Sequence, residues 1–267
     1  MPDVPRALTI AGSDSGGGAG IQADLKTFHA LGVWGMSAIT AVTVQNTKGV
    51  SGYEELSPET VAEQIRAVVT DIGVDAAKTG MLASTPIIEA VADVLRETSV
   101  PNLVVDPVSV SKHGHPLLAE DAVDALRTLI LPGATLVTPN LHEAALLAGF
   151  LVRTEEDMER AGRAILGLGA GAVLVKGGHL AGRAAAVDVL VGSDGVERCE
   201  QERIDTPHTH GTGCVLSAAI AANLALGLDL LDAVDRGKAF VTEAIRRHLE
   251  IGQGIGPVNP GGAAAAS

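Results

Sequence analysis

The run Ala7-Leu8-Thr9-Ile10-Ala11-Gly12-Ser13-Asp14-Ser15-Gly16-Gly17-Gly18-Ala19-Gly20 decides the fold. Its first five residues are apolar apart from Thr9, which suits a strand covered on both faces, as in a parallel sheet. The glycines then permit a tight turn, and a helix is expected to follow. A strand, a glycine loop and a helix form the opening unit of a doubly wound α/β sheet. The loop lacks Gly-Lys-Ser/Thr, so it is not the P-loop of the common NTPases. Gly18-Ala19-Gly20-Ile21-Gln22-Ala23 formally fits the dinucleotide fingerprint, but that reading needs an acidic residue after the next strand, where Gln45-Asn46 stand. Alternatively the loop closes backbone over a small, flat substrate, with Asp24 one helical turn beyond Gly20 and facing the same pocket.

Further strands are expected at Ser37–Val44, Ala76–Thr79, Leu103–Val105, Thr135–Thr138, Val173–Val175 and Val187–Val191. Helices are punctuated between them. Ser57 caps one that carries Pro58 at its first position and Val61, Ile65, Val68 and Ile72 on one face; Thr85-Pro86 opens a second with Ile88, Val91 and Leu95. Thr154, with Asp157 three residues on, starts a third carrying Met158, Ala161, Ile165 and Leu168. Gly192-Ser193-Asp194-Gly195, between Val187–Val191 and Val196–Ile204, reads as a hairpin turn and hence one antiparallel excursion. No composition break or internal repeat divides the chain, so one α/β domain over residues 1–267 is expected, with residues 261–267 a frayed tail. Ligands of such sheets sit beyond the carboxyl ends of the strands. This singles out Gly12-Ser13-Asp14, Gln45-Asn46, Gly80-Met81, Asp106-Pro107, Pro139-Asn140 and Lys176-Gly177-Gly178.

A net charge of −13 and 2% aromatic residues argue against a nucleic-acid partner, which needs a basic stripe or stacking rings. Two cysteines, Cys199 and Cys214, make neither a disulfide framework nor a metal spacing. The longest apolar stretch, Cys214 to Leu228, is interrupted by Asn223 and too short for a bilayer, and no signal peptide is evident, so a cytoplasmic protein is expected.

The chemistry concentrates at His210-Gly211-Thr212-Gly213-Cys214, which runs into the apolar segment Val215 to Leu228. A glycine turn into a helix leaves its first N–H groups bare at the positive pole of the dipole, an end that favours phosphate. Cys214 in that first turn should have its thiol pKa lowered. Asp106, Asn140 and Glu143 offer the hard oxygens Mg²⁺ prefers, although Asn140 could simply cap the helix that holds Glu143. Lys176, before Gly177-Gly178, can place an ammonium on a phosphate. His208 and His210 read as loop residues, and Cys199 as incidental.

Together these residues resemble the ribokinase superfamily, and within it the hydroxymethylpyrimidine and phosphomethylpyrimidine kinases of thiamine biosynthesis. The matching stretches are Ala11 to Asp24, Val44-Gln45-Asn46-Thr47, Lys78-Thr79-Gly80-Met81, Val105-Asp106-Pro107-Val108, Thr138-Pro139-Asn140 with Glu143, Val175-Lys176-Gly177-Gly178-His179 and His210 to Cys214. The resemblance implies a ribokinase-like fold, usually a homodimer, and two successive ATP- and Mg²⁺-dependent phosphorylations. These act on 4-amino-5-hydroxymethyl-2-methylpyrimidine and then on its monophosphate. By position it assigns Gly12, Asp24, Gln45, Met81 and Val108 to the pyrimidine pocket, and Gly211, Thr212, Gly213 and Cys214 to an anion hole. Lys176 becomes a phosphate clamp, Asp106, Asn140, Glu143 and Thr212 the nucleotide side, and Asp106 with Glu143 the metal. Most ribokinase-like enzymes carry an aspartate base where Cys214 stands; cysteine marks this subfamily and a related group of pyridoxal kinases, the nearest alternative. Ser109, His113 and Val215 depart from residues common in the family, near a flap in which Lys112 is expected to reach the phosphorylated intermediate.

Overall fold

The computed structural model describes residues 4–110, 114, 117–119, 121–178, 180 and 185–265. Lys112, His113 and His179 lie outside them. β1 (Arg6–Ala11) leads through the glycine loop into α1 (Gly20–Ala30) and β2 (Trp34–Ile39). A hairpin of β3 (Ala41–Asn46) and β4 (Gly49–Glu55) precedes α2 (Pro58–Asp71) and β5 (Ala76–Thr79). Then come α3 (Thr85–Thr98), β6 (Leu103–Val105), the single turn α4 (Ala122–Ala125), β7 (Leu136–Val137), α5 (Leu141–Ala148) and α6 (Glu155–Leu166). The chain finishes with β8 (Ala172–Lys176), β9 (Ala185–Gly192), β10 (Gly195–Glu202), α7 (Thr212–Ala225), α8 (Leu230–Arg246) and α9 (Pro260–Ala264).

Eight strands form one sheet in the order β10-β9-β8-β7-β6-β5-β1-β2. Neighbours from β8 to β2 are parallel, and β9 alone runs against both its neighbours, β8 and β10. Each face buries an apolar layer. Leu8 and Ile10 of β1 pack on the side of α2, α3, α5 and α6, while Ala7 packs toward α1, α7 and α8. The chain leaves β1 for β2 on one side and returns to β5 on the other, so the strand order reverses at β1. Beyond that point a crevice opens between the carboxyl ends of β1 and β5, at Gly12 and Gly80.

Two expectations need correction. The segment Ser37–Val44 is not one strand: it splits at Thr40, whose N–H donates to Ala11 O and whose hydroxyl donates to Met81 O at 2.7 Å. Those two bonds turn the chain out of the large sheet, and Ala41 onward pairs instead with β4 in a separate two-stranded sheet. The tail is ordered as far as Ala264, because Asn259 caps α9 and buries Pro260 and Ala263. Thr85-Pro86 opens α3 as expected, with Ser84 at the cap position. The caps at Ser57 and Thr154 are present, each side chain accepting an N–H three residues on.

Candidate active site

A cavity of about 820 Å³ lies over the carboxyl ends of the strands. Its wall holds Gly12, Gln45, Met81, Asp106, Val108, Asn140, Glu143, Lys176 and the whole of Gly211, Thr212, Gly213 and Cys214. One expected lining residue is missing. Asp24 is fully buried beneath the floor, where its carboxylate meets Lys78 Nζ at 2.9 Å and accepts from Thr9 Oγ1 at 2.6 Å. The side chain that reaches the cavity there is Lys78. Burial is the strongest single influence and works against its ammonium, but Asp24, Cys214 and Asp106 together outweigh it and raise its pKa.

The expected anion hole rests on two glycines. Gly211, at φ 82°, caps α7, and a Cβ there would stand 1.8 Å from Gly18 O. Only glycine lets the glycine loop and α7 touch. Val215 N–H makes the first bond of the α7 ladder, to Gly211 O at 2.9 Å, so the N–H groups of Thr212, Gly213 and Cys214 stand ahead of it. Thr212 N–H meets Thr209 O at a long 3.3 Å, and among the described residues no acceptor meets those of Gly213 or Cys214. A Cβ on Gly213 would come within 3.3 Å of Lys176 Nζ and 3.6 Å of Asp106 Oδ2, so its absence leaves space between cation, carboxylate and helix end.

Lys176 Nζ donates to Asp106 Oδ1 at 2.9 Å, and both side chains lie close to Gly213 in the first turn of α7. Burial opposes the Lys176 charge, and Asp106 and Glu143 overcome it, raising the pKa and keeping the ammonium. Asn140 and Glu143 form a reciprocal capping box at the start of α5: Asn140 Oδ1 accepts Glu143 N–H at 2.9 Å, and Glu143 Oε2 accepts Asn140 N–H at 2.8 Å. The capping role and the place on the cavity wall coexist. Burial lifts the Glu143 carboxyl to about 7, against the pull of Lys176. Two buried carboxylates and an amide, all oxygen donors beside a phosphate-sized space, fit Mg²⁺, and a dication would relieve the cost of burying Glu143.

Cys214 behaves contrary to expectation. The Lys78 ammonium and the Gly20 N–H both favour its thiolate, yet burial outweighs them and lifts the thiol to about 11. At neutral pH the side chain is a thiol.

Several residues have roles that the sequence pattern does not assign. Lys78 interrupts the apolar strand Ala76–Thr79, and a lysine buried in a parallel sheet requires a counter-ion, which is the signal that marks it. The same holds for Asp188 in β9, which accepts Gly177 N–H at 2.9 Å and pairs with Lys238 Nζ of α8 at 2.7 Å. That chain of contacts fixes the turn after Lys176. Asp14 holds the glycine loop, accepting the N–H groups of Gly16, Gly18 and Ala19. His208 stacks on His248 beside Glu250, but His208 Nδ1 accepts Gly256 N–H, which leaves the hydrogen on Nε2 and spoils that nitrogen as a metal ligand. A second cavity, of about 560 Å³, lies between α1 and the C-terminal segment; its Lys26 is spent on Gly17 O.

Comparison with known proteins places this geometry. The phosphomethylpyrimidine kinase family matches residues 14–259. A hydroxymethylpyrimidine/phosphomethylpyrimidine kinase of Streptomyces coelicolor is 53% identical over 257 residues, covering 96% of this chain and 94% of that protein. Among solved structures, an ADP complex of Bacillus subtilis pyridoxal kinase superposes with a TM-score of 0.91 at 42% identity, over 97% of this chain and 98% of the other. A phosphomethylpyrimidine kinase of Clostridium difficile gives 0.81 at 46% identity, over 91% and 100%. With Gly16 to Gly20 and Gly211 to Cys214 both inside the matched span, the chain belongs to the phosphomethylpyrimidine kinase family.

Proposed function

We propose that this kinase transfers the γ-phosphoryl group of ATP to 4-amino-5-hydroxymethyl-2-methylpyrimidine, and then a second phosphoryl group to the resulting monophosphate. The observation that carries this reading is the convergence on one cavity of a bare helix N-terminus, the Lys176–Asp106 pair and the Gln45 carboxamide. A carboxamide offers one donor and one acceptor side by side, as the N3/4-amino edge of an aminopyrimidine requires. Phosphoryl transfer runs through a loose transition state, so catalysis is mainly positioning and charge neutralisation. The N–H groups of Gly213 and Cys214 and the Lys176 ammonium face the transferred group as its charge spreads. Mg²⁺ bound with the nucleotide would be held by Asp106 and Glu143, largely through water, and would neutralise phosphate charge. The thiol of Cys214 lies against the acceptor alcohol and positions it; as a thiol it takes no proton early, which a loose transition state tolerates.

The second reading, pyridoxal phosphorylation on the same scaffold, is favoured by the structural likeness to the Bacillus subtilis pyridoxal kinase. ADP release measured with hydroxymethylpyrimidine and pyridoxal in parallel, with mass detection of mono- and diphosphate, separates the two. Turnover with pyridoxal alone would sink the first. The setting proposed is the cytoplasm. No helix among the described residues is long and apolar enough to cross a membrane. The working form is a homodimer.

A further inference from the structure

His210 stands between the glycine loop and the substrate end of the cavity, and is 6% exposed. Its Nε2 lies 2.9 Å from Asp14 Oδ2 and 3.3 Å from Nε2 of the Gln45 carboxamide. Asp14 Oδ2 also accepts the N–H groups of Gly18 at 3.0 Å and Ala19 at 2.8 Å, the behaviour of an ionised carboxylate. A ring nitrogen at 2.9 Å from that oxygen must bear a hydrogen, since two lone pairs would repel. The other ring nitrogen, Nδ1, is buried with no partner, and there an idle acceptor costs less than an orphaned N–H. Both ends of the ring therefore give one tautomer, with hydrogen on Nε2.

A nitrogen that donates cannot also accept from the Gln45 amide nitrogen. The carboxamide oxygen and nitrogen are told apart by their partners: an oxygen facing His210 takes the outer share of the one Nε2 hydrogen, whose main acceptor is Asp14 Oδ2 at 2.9 Å, whereas an NH₂ there would meet that hydrogen head-on. The far end of the amide agrees. It lies 3.4 Å from Thr43 Oγ1, whose hydrogen is already given to Ser13 O at 2.8 Å. Thr43 Oγ1 is thus an acceptor, and the NH₂ end satisfies it.

We propose that His210 and Thr43 lock the Gln45 carboxamide with its oxygen toward His210 and its NH₂ toward Thr43, and thereby decide which order of donor and acceptor on a pyrimidine edge binds productively. This rests on the pyrimidine reading of the cavity. With the amide so held, the oxygen accepts from the 4-amino group while the NH₂ donates to ring N3. The 4-oxo analogue presents the reverse, an N3–H and a C4=O. It can pair with the locked amide only when turned over, which carries its 5-hydroxymethyl group away from α7. His210 is a positioning residue: it touches Gln45, not the reacting atoms.

The test compares kcat/KM for the 4-amino alcohol and its 4-oxo analogue. The intact enzyme should prefer the amino form by roughly ten- to a hundredfold, the discrimination expected of one bidentate pair. His210→Leu frees the amide to rotate, and Thr43→Val removes its other anchor, so in each the preference should fall to within about threefold. His210→Gln, whose amide nitrogen reaches the place of Nε2, should keep it. A His210→Leu variant that fails to fold leaves Thr43→Val to decide. Preferences unchanged in both His210→Leu and Thr43→Val, or absent in the intact enzyme, overturn the lock. Independently of any substrate, ¹⁵N NMR of the intact kinase should show the His210 hydrogen on Nε2; hydrogen on Nδ1 overturns the lock as well. Should neither pyrimidine release ADP, the functional reading fails while the NMR measurement still judges the amide.

Discussion

A cysteine in the first turn of a helix feels two opposed influences on its proton. The dipole and a nearby cation favour the thiolate, whereas removal from water favours the thiol. At Cys214 the second prevails, and the thiol lies near 11. Spacing alone reveals the helix start but not how deep the sulfur lies below the glycine loop, because that loop arrives from the other end of the sequence. With a pKa near 11, only about a thousandth of the sulfur is thiolate at pH 8. Alkylation by iodoacetamide, followed by mass spectrometry, should therefore be slow at pH 8 and quicken about tenfold per unit up to pH 10. A rate already at its plateau at pH 8 would show the dipole to dominate. Cys214→Ala should lower kcat by about ten- to a hundredfold, below the usual span for losing a general base, while the Kd for ATP stays within about twofold. Loss of ATP binding in that variant would refute the place given to the thiol.

Between elements, two buried charge clusters tie the sheet to its helices. Lys78 of β5 and Asp24 of α1 are both fully buried and meet at 2.9 Å. Lys78→Met strands the carboxylate without its partner and should cost about 3–5 kcal/mol in denaturant unfolding, whereas Lys78→Met combined with Asp24→Leu should recover most of that. Equal losses in the single and double variants would mean that Lys78 matters by its packing. At the start of α5, Glu143 has its folded pKa raised from 4.5 to about 7, so between those values the native state binds more protons than the unfolded chain. Its contribution to stability is thus present at pH 4.5 and is lost as pH rises through 7. Without nucleotide or metal, the unfolding free energy of Glu143→Gln should lack that decline; parallel pH profiles for both proteins would contradict the assignment. Asp14 works the other way, its carboxyl held below 3.8 against the cost of burial by the His210 hydrogen bond and the loop N–H groups, so it loosens only at lower pH. Local caps such as Ser57 and Asn140 were legible in sequence because their partners are three residues away. Lys78–Asp24 was not, because its partners are brought together by topology.

Over the whole molecule, the parallel sheet, the hairpin at Gly192–Gly195 and the convergence of six strand ends on one cavity follow from the alternation of apolar runs and punctuation. The exception is the segment around Thr40, where one continuous β-rich run serves two sheets. Periodicity cannot show that division, since both halves favour strand; the Thr40 bonds to Ala11 and Met81 make it. The division has a consequence for assembly. β3 and β4 form a two-stranded sheet by themselves, an arrangement of marginal stability unless one face is covered. Along β3, Ala41 and Thr43 are buried inward, while Val42 and Val44 point out, Val44 being 64% exposed. Opposite Val44 stands Gly52, which has no side chain to shield it. A second copy of the hairpin would cover this stripe and steady Gln45, which lies one residue along the same strand. Light scattering on the intact protein should give the mass of two chains, and Val44→Lys, which places a charge on the stripe without touching the cavity lining, should give the mass of one. Because Gln45 then loses its backing, the KM for the pyrimidine should rise at least severalfold in the monomer while the KM for ATP, set by Lys176 and α7, changes little. A dimer that survives Val44→Lys, or a monomer whose two KM values rise together, would detach the hairpin from either role.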